Sequence, residues 1–377
     1  MPAPPRLFDR TLHRRRLERA APRFGAADFL KARAAVDAVE RLEAILRSFP
    51  VAVDLGARNG AFAQALAASD ARERVGLLIE ADLAQDMLAG RPGPRVQADE
   101  ERLPFADASL DLVVSTLALH WVNDLPGALI QVRRALRPDG LFLGAMLGGA
   151  TLTELRQCLT AAEAELTGGA GLRVSPFADA YDAAGLLQRA GFALPVADVD
   201  RVTVRYAHPL KLIEDLRAMG ETNALVDRAR QPLSRAVLAR TCALYAERFS
   251  EPDGRVRATF DILTMTGWAP HPDQQQPLKP GSAKMRLADA LRPPGSEGAT
   301  DAARLPPERA ADGAGDVLHD VGGLVAEGGH RRHHHEEHQR ADHGVFDRRG
   351  PPLVADESLQ RQSRSQATNG ASAGGIG

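Results

Sequence analysis

Between residues 50 and 146, short apolar runs alternate with stretches whose apolar residues recur every third or fourth position. Val51 to Leu55 is a buried strand broken by Gly56 and Gly60, and the helix after it puts Phe62 and Leu66 on one face. Val75 to Ile79 reads as a second strand, followed by a helix through Met87 and Leu88, and Leu110 to Ser115 reads as another strand. Leu125, Leu129, Val132 and Leu136 then mark one apolar helix face, with Asp124 as cap and Pro126 in the first turn. Pro138 and Gly140 end that helix, and Leu141 to Met146 is the next strand. Fully apolar strands alternating with helices predict a mostly parallel sheet covered on both faces. Ligands in such sheets bind outside the carboxyl ends of the strands at a topological switch point, which singles out the loop Asp54 to Gly60.

The second half changes rhythm. Thr151 and Glu154 read as a capping box for a helix carrying Leu152, Leu155, Leu159 and Leu166, stopped by Gly168 and Gly169. A helix is expected over about 182–190, a strand over Val199 to Tyr206, mostly helix over His208 to Phe249, and a last strand over Phe260 to Trp268. The sum is an α/β, Rossmann-like sheet of about seven strands, with helical insertions near 151–170 and 208–250 roofing the crevice.

Domain limits come from composition. Residues 1–45 form a basic helical segment, in which Arg6 to Arg23 carries seven Arg and two acids. It fits a helix packed on the main domain, a basic helix or the edge of a targeting peptide. Residues 46–292 carry the fold. From Pro293 to Gly377 the only aromatic is Phe346, and seven of the eleven His crowd between His319 and His343. Such a segment buries too little apolar area to offset its ordering entropy and is expected to be disordered. A metal-binding tract and an out-of-frame end to the coding sequence are the other readings.

The net charge of -2 argues against a protein that coats nucleic acid, and the two cysteines, Cys158 and Cys242, against a disulfide framework or a thiolate metal site. No run approaches the roughly 20 apolar residues that cross a bilayer. A secretory pattern is absent from the N-terminus. The expectation is the cytoplasm, or the mitochondrial matrix for a eukaryotic source. Only four of the 47 basic residues are Lys, a bias that reads as mutational background.

Three motifs carry chemistry. In Asp54 to Gly60 an acid ends the first strand and two glycines let the backbone approach a ligand, although Arg58 stands where a middle glycine is usual. Asp82 ends the second strand and can accept from two ribose hydroxyls or cap a helix. Asp99 precedes a turn and can accept from an adenine amino group, with Leu103, Pro104 and Phe105 as an apolar wall.

Together the motifs resemble the S-adenosylmethionine-binding signature of class I methyltransferases. By that resemblance Asp54, Gly56 and Gly60 line the methionine part, Asp82 holds the ribose and Asp99 the adenine. The segment LALHWVNDLPGAL (Leu117 to Leu129) is similar to two related families, the malonyl-acyl-carrier-protein methyltransferase of biotin synthesis and the complex I assembly factor described as an arginine hydroxylase. LFDR (Leu7 to Arg10), MLGGATLTELR (Met146 to Arg156), DLRAMGETNAL (Asp215 to Leu225) and GWAPH (Gly267 to His271) resemble the second family more. The resemblance spans about 6–290 and implies a complex I subunit as protein substrate.

Methyl transfer asks the protein mainly for positioning, with a base only where the acceptor is a hydroxyl or amine. His120, which comes after the fourth strand, and Glu221 are the catalytic candidates, and Trp121 and Asn223 the substrate-side candidates. Hydroxylation asks for an oxidant and usually a metal, and the four folded-part histidines, His13, His120, His208 and His271, are far apart in sequence and propose no metal set. A cofactor-binding but non-catalytic assembly factor is the third class.

Overall fold

The computed structural model describes residues 6–274 and the backbone of 345–347. Seven strands come from the alternating region and the second half: β1 Phe49–Leu55, β2 Val75–Asp82, β3 Arg95–Gln97, β4 Leu110–Thr116, β5 Leu136–Gly148, β6 Ala193–Tyr206 and β7 Val256–Trp268. An eighth, β8, is Val345–Asp347. They form one sheet in the order β3-β2-β1-β4-β5-β7-β6-β8. Strands β1 to β5 pair in parallel, and β7 runs antiparallel between β5 and β6. Sheet order reverses where β1 lies between β2 and β4, and that places the ligand crevice beyond Asp54 and Thr116.

Helices cover both faces. They are α1 Arg10–Ala20, α2 Phe29–Glu43, α3 Ala61–Ala67, α4 Leu125–Ala135, α5 Thr153–Thr167, α6 Ala180–Arg189, α7 Pro209–Ala218 and α8 Arg235–Phe249. Strand alternation divides the core. Leu112 and Val114 of β4 point toward α2 and α3, while Val113 points toward α4 and α6. Leu129 and Val132 of α4 are fully buried there, and Asp124 accepts from the Gly127 amide at 2.9 Å as the expected cap. Under α5, α7 and α8 a third cluster gathers Leu155, Leu159, Val204, Tyr206, Leu212 and Phe260, so the two insertions do stack over one end of the sheet.

Several local expectations are corrected. Thr151 and Glu154 do not make a capping box: the residue before α5 is Leu152, in a left-handed conformation with no side-chain cap. Thr151 instead accepts from the Asp261 amide at 3.1 Å, and Glu154 accepts from the Thr259 hydroxyl at 2.6 Å and its amide at 3.1 Å. The demand of β7 for partners outweighs the local cap. The stretch through Met87 and Leu88 is one 3-10 turn, Gln85–Leu88, because the next strand, β3, starts seven residues later and leaves no room for a helix. Between α7 and α8 the chain is irregular over 219–234, so Glu221 and Asn223 lie on a loop and not in a helix. Strands β6 and β7 begin earlier than expected, at Ala193 and Val256, since each pairs with the other along most of its length. The expectations for 293–377 lie outside the described residues, apart from 345–347, where a stretch expected to lack structure pairs with β6.

Candidate functional site

The loop after β1 is shaped by two left-handed glycines, Gly56 at φ 76° and Gly60 at φ 70°. A Cβ on Gly56 would collide with Ala118. Glycine is required there by the close approach of Ala118 as well as by the left-handed backbone. Beside it the Asp54 carboxylate is fully buried, and neither oxygen has a hydrogen-bond partner. Burial pushes its pKa up to about 6, against the pull of Lys31. Lys31, from α2, donates to the carbonyls of Gly56 at 2.5 Å and Thr116 at 2.6 Å. Burial lowers its pKa to about 8, and Asp54 opposes that shift. A cation and an acid thus face the end of β1 without bonding one another.

Asp82 also has no exposure, and its carboxylate is engaged. Oδ2 accepts from the Arg58 guanidinium at 2.8 Å and the Arg58 amide at 2.9 Å, and Oδ1 accepts from the Ala84 amide at 2.8 Å. These use three of roughly four acceptor positions on a carboxylate. Arg58, the residue in place of a middle glycine, keeps glycine-like backbone at φ 53°. Its side chain turns inward to Asp82.

Asp99 lies on the next turn. Its Oδ1 accepts from Arg10 Nη2 at 2.6 Å and the Glu101 amide at 3.0 Å. Arg10, on α1, also grips the buried Glu100. The N-terminal segment is therefore part of the site. Asp9 caps α1 through the Leu12 amide, and Phe8 bridges to Leu225. His13 stacks on Trp121 at 4.3 Å between ring centres, with both ring nitrogens buried and unpartnered. Burial, then Arg58 and Arg10, hold its pKa well below the usual histidine value, which keeps it neutral.

His120 and Trp121 form a 3-10 turn after β4, and both reach Glu221. Glu221 Oε2 accepts from Trp121 Nε1 at 2.9 Å and lies 3.0 Å from His120 Nε2. His120 Nδ1 accepts from the Leu147 amide at 3.4 Å, so the network assigns the proton to Nε2. Glu221 lines two cavities. One, of about 30 Å³, also touches Lys31 and Arg58. The other, of about 320 Å³, lies under the roof between Trp121, Leu155, Phe177, Leu216 and Arg217. Asn223 lines the larger cavity, but its side chain is committed to the Leu172 carbonyl at 2.6 Å and the Leu225 amide at 3.0 Å.

Asp54, Gly56, Gly60, Asp82 and Asp99 thus stand along adjacent strand ends, and His120, Trp121 and Glu221 come together beside them. Sequence reading missed Arg10, His13, Lys31 and Glu100. One signal was available: a Lys on the helix that precedes the first strand, in a chain with four Lys in all. Among the described residues no group of three His, Cys, Asp or Glu is arranged to hold a metal ion. None of their helices is long and apolar enough to cross a membrane.

Residues 53–144 match a methyltransferase domain. The chain is 40% identical over 290 residues to arginine-hydroxylase NDUFAF5, mitochondrial, of Danio rerio, covering 75% of this chain and 89% of that protein. With the Homo sapiens protein of the same name it shares 41% identity over 303 residues, 77% of this chain and 86% of that one. With the malonyl-[acyl-carrier protein] O-methyltransferase of Methylovorus sp. (strain MP688) it shares 34% over 301 residues, 76% of this chain and 94% of that one. With this identity and a sheet parallel except for β7, the chain belongs to the class I S-adenosylmethionine-dependent methyltransferase family, nearer to these NDUFAF5 proteins than to the malonyl-carrier enzyme.

Proposed function

We propose that the protein binds S-adenosylmethionine in the crevice at Asp54 and acts on an arginine side chain of a complex I subunit presented in the roofed cavity. The carrying observation is Glu221, a carboxylate at the junction of the two cavities, braced by Trp121 and His120. The residues at the crevice fit the cofactor. An unpartnered buried acid suits an ammonium group. Asp54 would hold the methionine ammonium, Asp82 the ribose through its remaining acceptor position, and Asp99 the adenine. When bound, the cofactor supplies an electrophilic methyl group on sulfur.

The chain's own residues do the rest. Glu221 faces the cavity and can take a guanidinium in a charge-assisted pair. His120 is a positioning residue, because its Nε2–H points at Glu221 and its Nδ1 is taken by the Leu147 amide. Trp121, buried against Phe8 and His13, fixes the carboxylate from the other side and keeps water out. Hydroxylation as the outcome rests on the relatives' name and would take its oxygen from dioxygen with two electrons from a separate reductant, since S-adenosylmethionine supplies only a methyl group.

A second reading has its own observation: Arg16, Arg173 and Arg217 line the larger cavity beside leucines, which suits a carboxylate on an apolar chain and hence carboxyl O-methylation. Mass spectrometry of complex I subunits from a strain lacking the protein separates the outcomes. Loss of one oxygen's mass from an arginine peptide supports the first reading, loss of one methylene's mass indicates methylation, and loss of biotin autonomy indicates the carboxyl reading. Unmodified subunits with failed assembly leave a non-catalytic factor.

A further inference from the structure

An open groove of about 1130 Å³ runs between the N-terminal segment and α7. Its walls carry Arg16, Arg19, Arg23, Lys211 and Arg217 against two acids, Glu214 and Asp215. Both acids come within ion-pair distance of Lys211, at 3.1 and 3.9 Å. Among the described residues no carboxylate comes within ion-pair distance of the four arginines, and Arg16 is held instead by the Asn223 carbonyl. Arg16 is pulled below the usual arginine range by burial and then by the neighbouring Arg228 and Arg19. Like charges crowded in a half-buried channel repel unless an anion lies between them.

The groove leads somewhere. Arg16, Arg217 and Thr222 line both it and the roofed cavity that ends at Glu221. Among the described residues no aromatic side chain lines the groove. Stacking platforms for nucleobases are therefore lacking there. Guanidinium groups fit carboxylates in a two-point fashion.

We infer that this groove docks an acidic segment of a partner polypeptide, whose Asp or Glu side chains meet Arg16, Arg19, Arg23 and Arg217 while an adjoining residue enters the cavity at Glu221. The docking half stands by itself, and the delivery half rests on the reading of that cavity as the acceptor site.

The test uses the full chain and a fluorescein-labelled decaglutamate peptide, read by anisotropy. Decaglutamate is expected to bind and to dissociate as salt rises. The exposed pair Arg19→Glu with Arg23→Glu should weaken binding by about tenfold or more, whereas Arg189→Glu with Arg235→Glu, the same charge change away from the groove, should keep it within about threefold. Equal loss in both variants, binding of decalysine as tight as decaglutamate, or tighter binding of single-stranded DNA would overturn the proposal. Calorimetry with S-adenosylmethionine on the same variants separates the two readings. If the wild-type protein shows groove-specific peptide binding but no cofactor binding, docking stands and the catalytic reading fails. If the groove variant binds cofactor normally and still modifies its substrate at the wild-type rate, delivery through the groove is wrong.

Discussion

Arg58 donates to Asp82 at 2.8 Å in a place where neither side chain is more than 2% exposed. The pair sits in the loop where the family's signature has glycine, and it holds the strand-two acid before any ligand arrives. Removing one partner of a buried ion pair leaves an uncompensated charge, at a cost of about 3–5 kcal/mol. Relief of left-handed strain at Arg58 returns only about 1–2 kcal/mol. Arg58→Gly is therefore expected to lower stability in the absence of ligand, and so is Asp82→Asn. The double variant should lose clearly less than the sum of the two. Urea unfolding of the three proteins measures this, and strict additivity would show that the pair is not coupled.

The pair Asp54 and Lys31 sets a pH dependence. For Asp54 the folded-state value is raised from 3.8 to about 6, so its contribution to stability is fully present below 3.8 and lost as pH rises through about 6. For Lys31 the folded-state value is lowered from 10.5 to about 8, so its contribution is present above 10.5 and lost as pH falls through about 8. Between about 6 and about 8 both groups are charged and buried, and their combined contribution is at its minimum. Asp54→Asn should flatten the fall in stability between 3.8 and about 6, as read by thermal melting across that range.

If Asp54 holds the cofactor's ammonium group, it must be ionised. Affinity for S-adenosylmethionine should then drop as pH falls below about 6, and binding near that pH should release protons. Calorimetry in two buffers of different ionisation enthalpy detects the release. A binding enthalpy independent of buffer at that pH would remove Asp54 from the role.

Glu221→Gln keeps the shape of the side chain and one acceptor for Trp121 but removes the charge. Modification of the substrate is expected to fall by about two orders of magnitude, in line with the roughly 2–5 kcal/mol lost when one partner of a buried hydrogen-bonded charge pair is removed. Stability should change by no more than about 1 kcal/mol, since the side chain is partly open to the cavity. A rate unchanged from wild type, with the fold intact, would return the role to another group.

Arg10 links α1 to Asp99 and the buried Glu100. Arg10→Ala would leave Glu100 without its cation and loosen the N-terminal segment. Trypsin should then cut within 6–23 much faster than in the wild-type protein, with S-adenosylmethionine protecting both if it organises the same acids. Unchanged cleavage kinetics would mean that α1 is held by its other contacts, such as Leu17 and Ala20 in the core and His13 on Trp121, without Arg10.

The local code is strong where burial and period agree. The parallel strands β1 and β4, the α4 face through Leu129 and Val132, and the glycines after β1 are legible in one-dimensional pattern, because fully apolar runs have nowhere to go but the sheet interior, and β2 is legible as a strand although Gly76 and Leu77 are exposed. The same pattern placed Asp54 and Asp82, since the end of an apolar run marks the carboxyl edge of the sheet, whereas β3, the strand before Asp99, is too short and polar to read from pattern. Where a tertiary partner competed with a local one, pattern failed. Thr151 and Glu154 have the spacing of a cap, yet they bond to Asp261 and Thr259, residues more than a hundred positions away. Met87 and Leu88 sit in a helix-like pattern, yet the short path to β3 allows only a turn.

The electrostatics of the site belonged wholly to the tertiary structure. Arg10, His13 and Lys31, on the first two helices, lie far along the chain from Glu221, and nothing in their local sequence says that one crevice will gather them. Sequence alone determined the sheet, the loop after β1 and the acids at the strand ends, because backbone periodicity and glycine geometry are properties of neighbouring residues. Only the folded chain decided which cations answer those acids: Coulomb energy depends on distance through space and on exclusion of water, and neither is written along the chain.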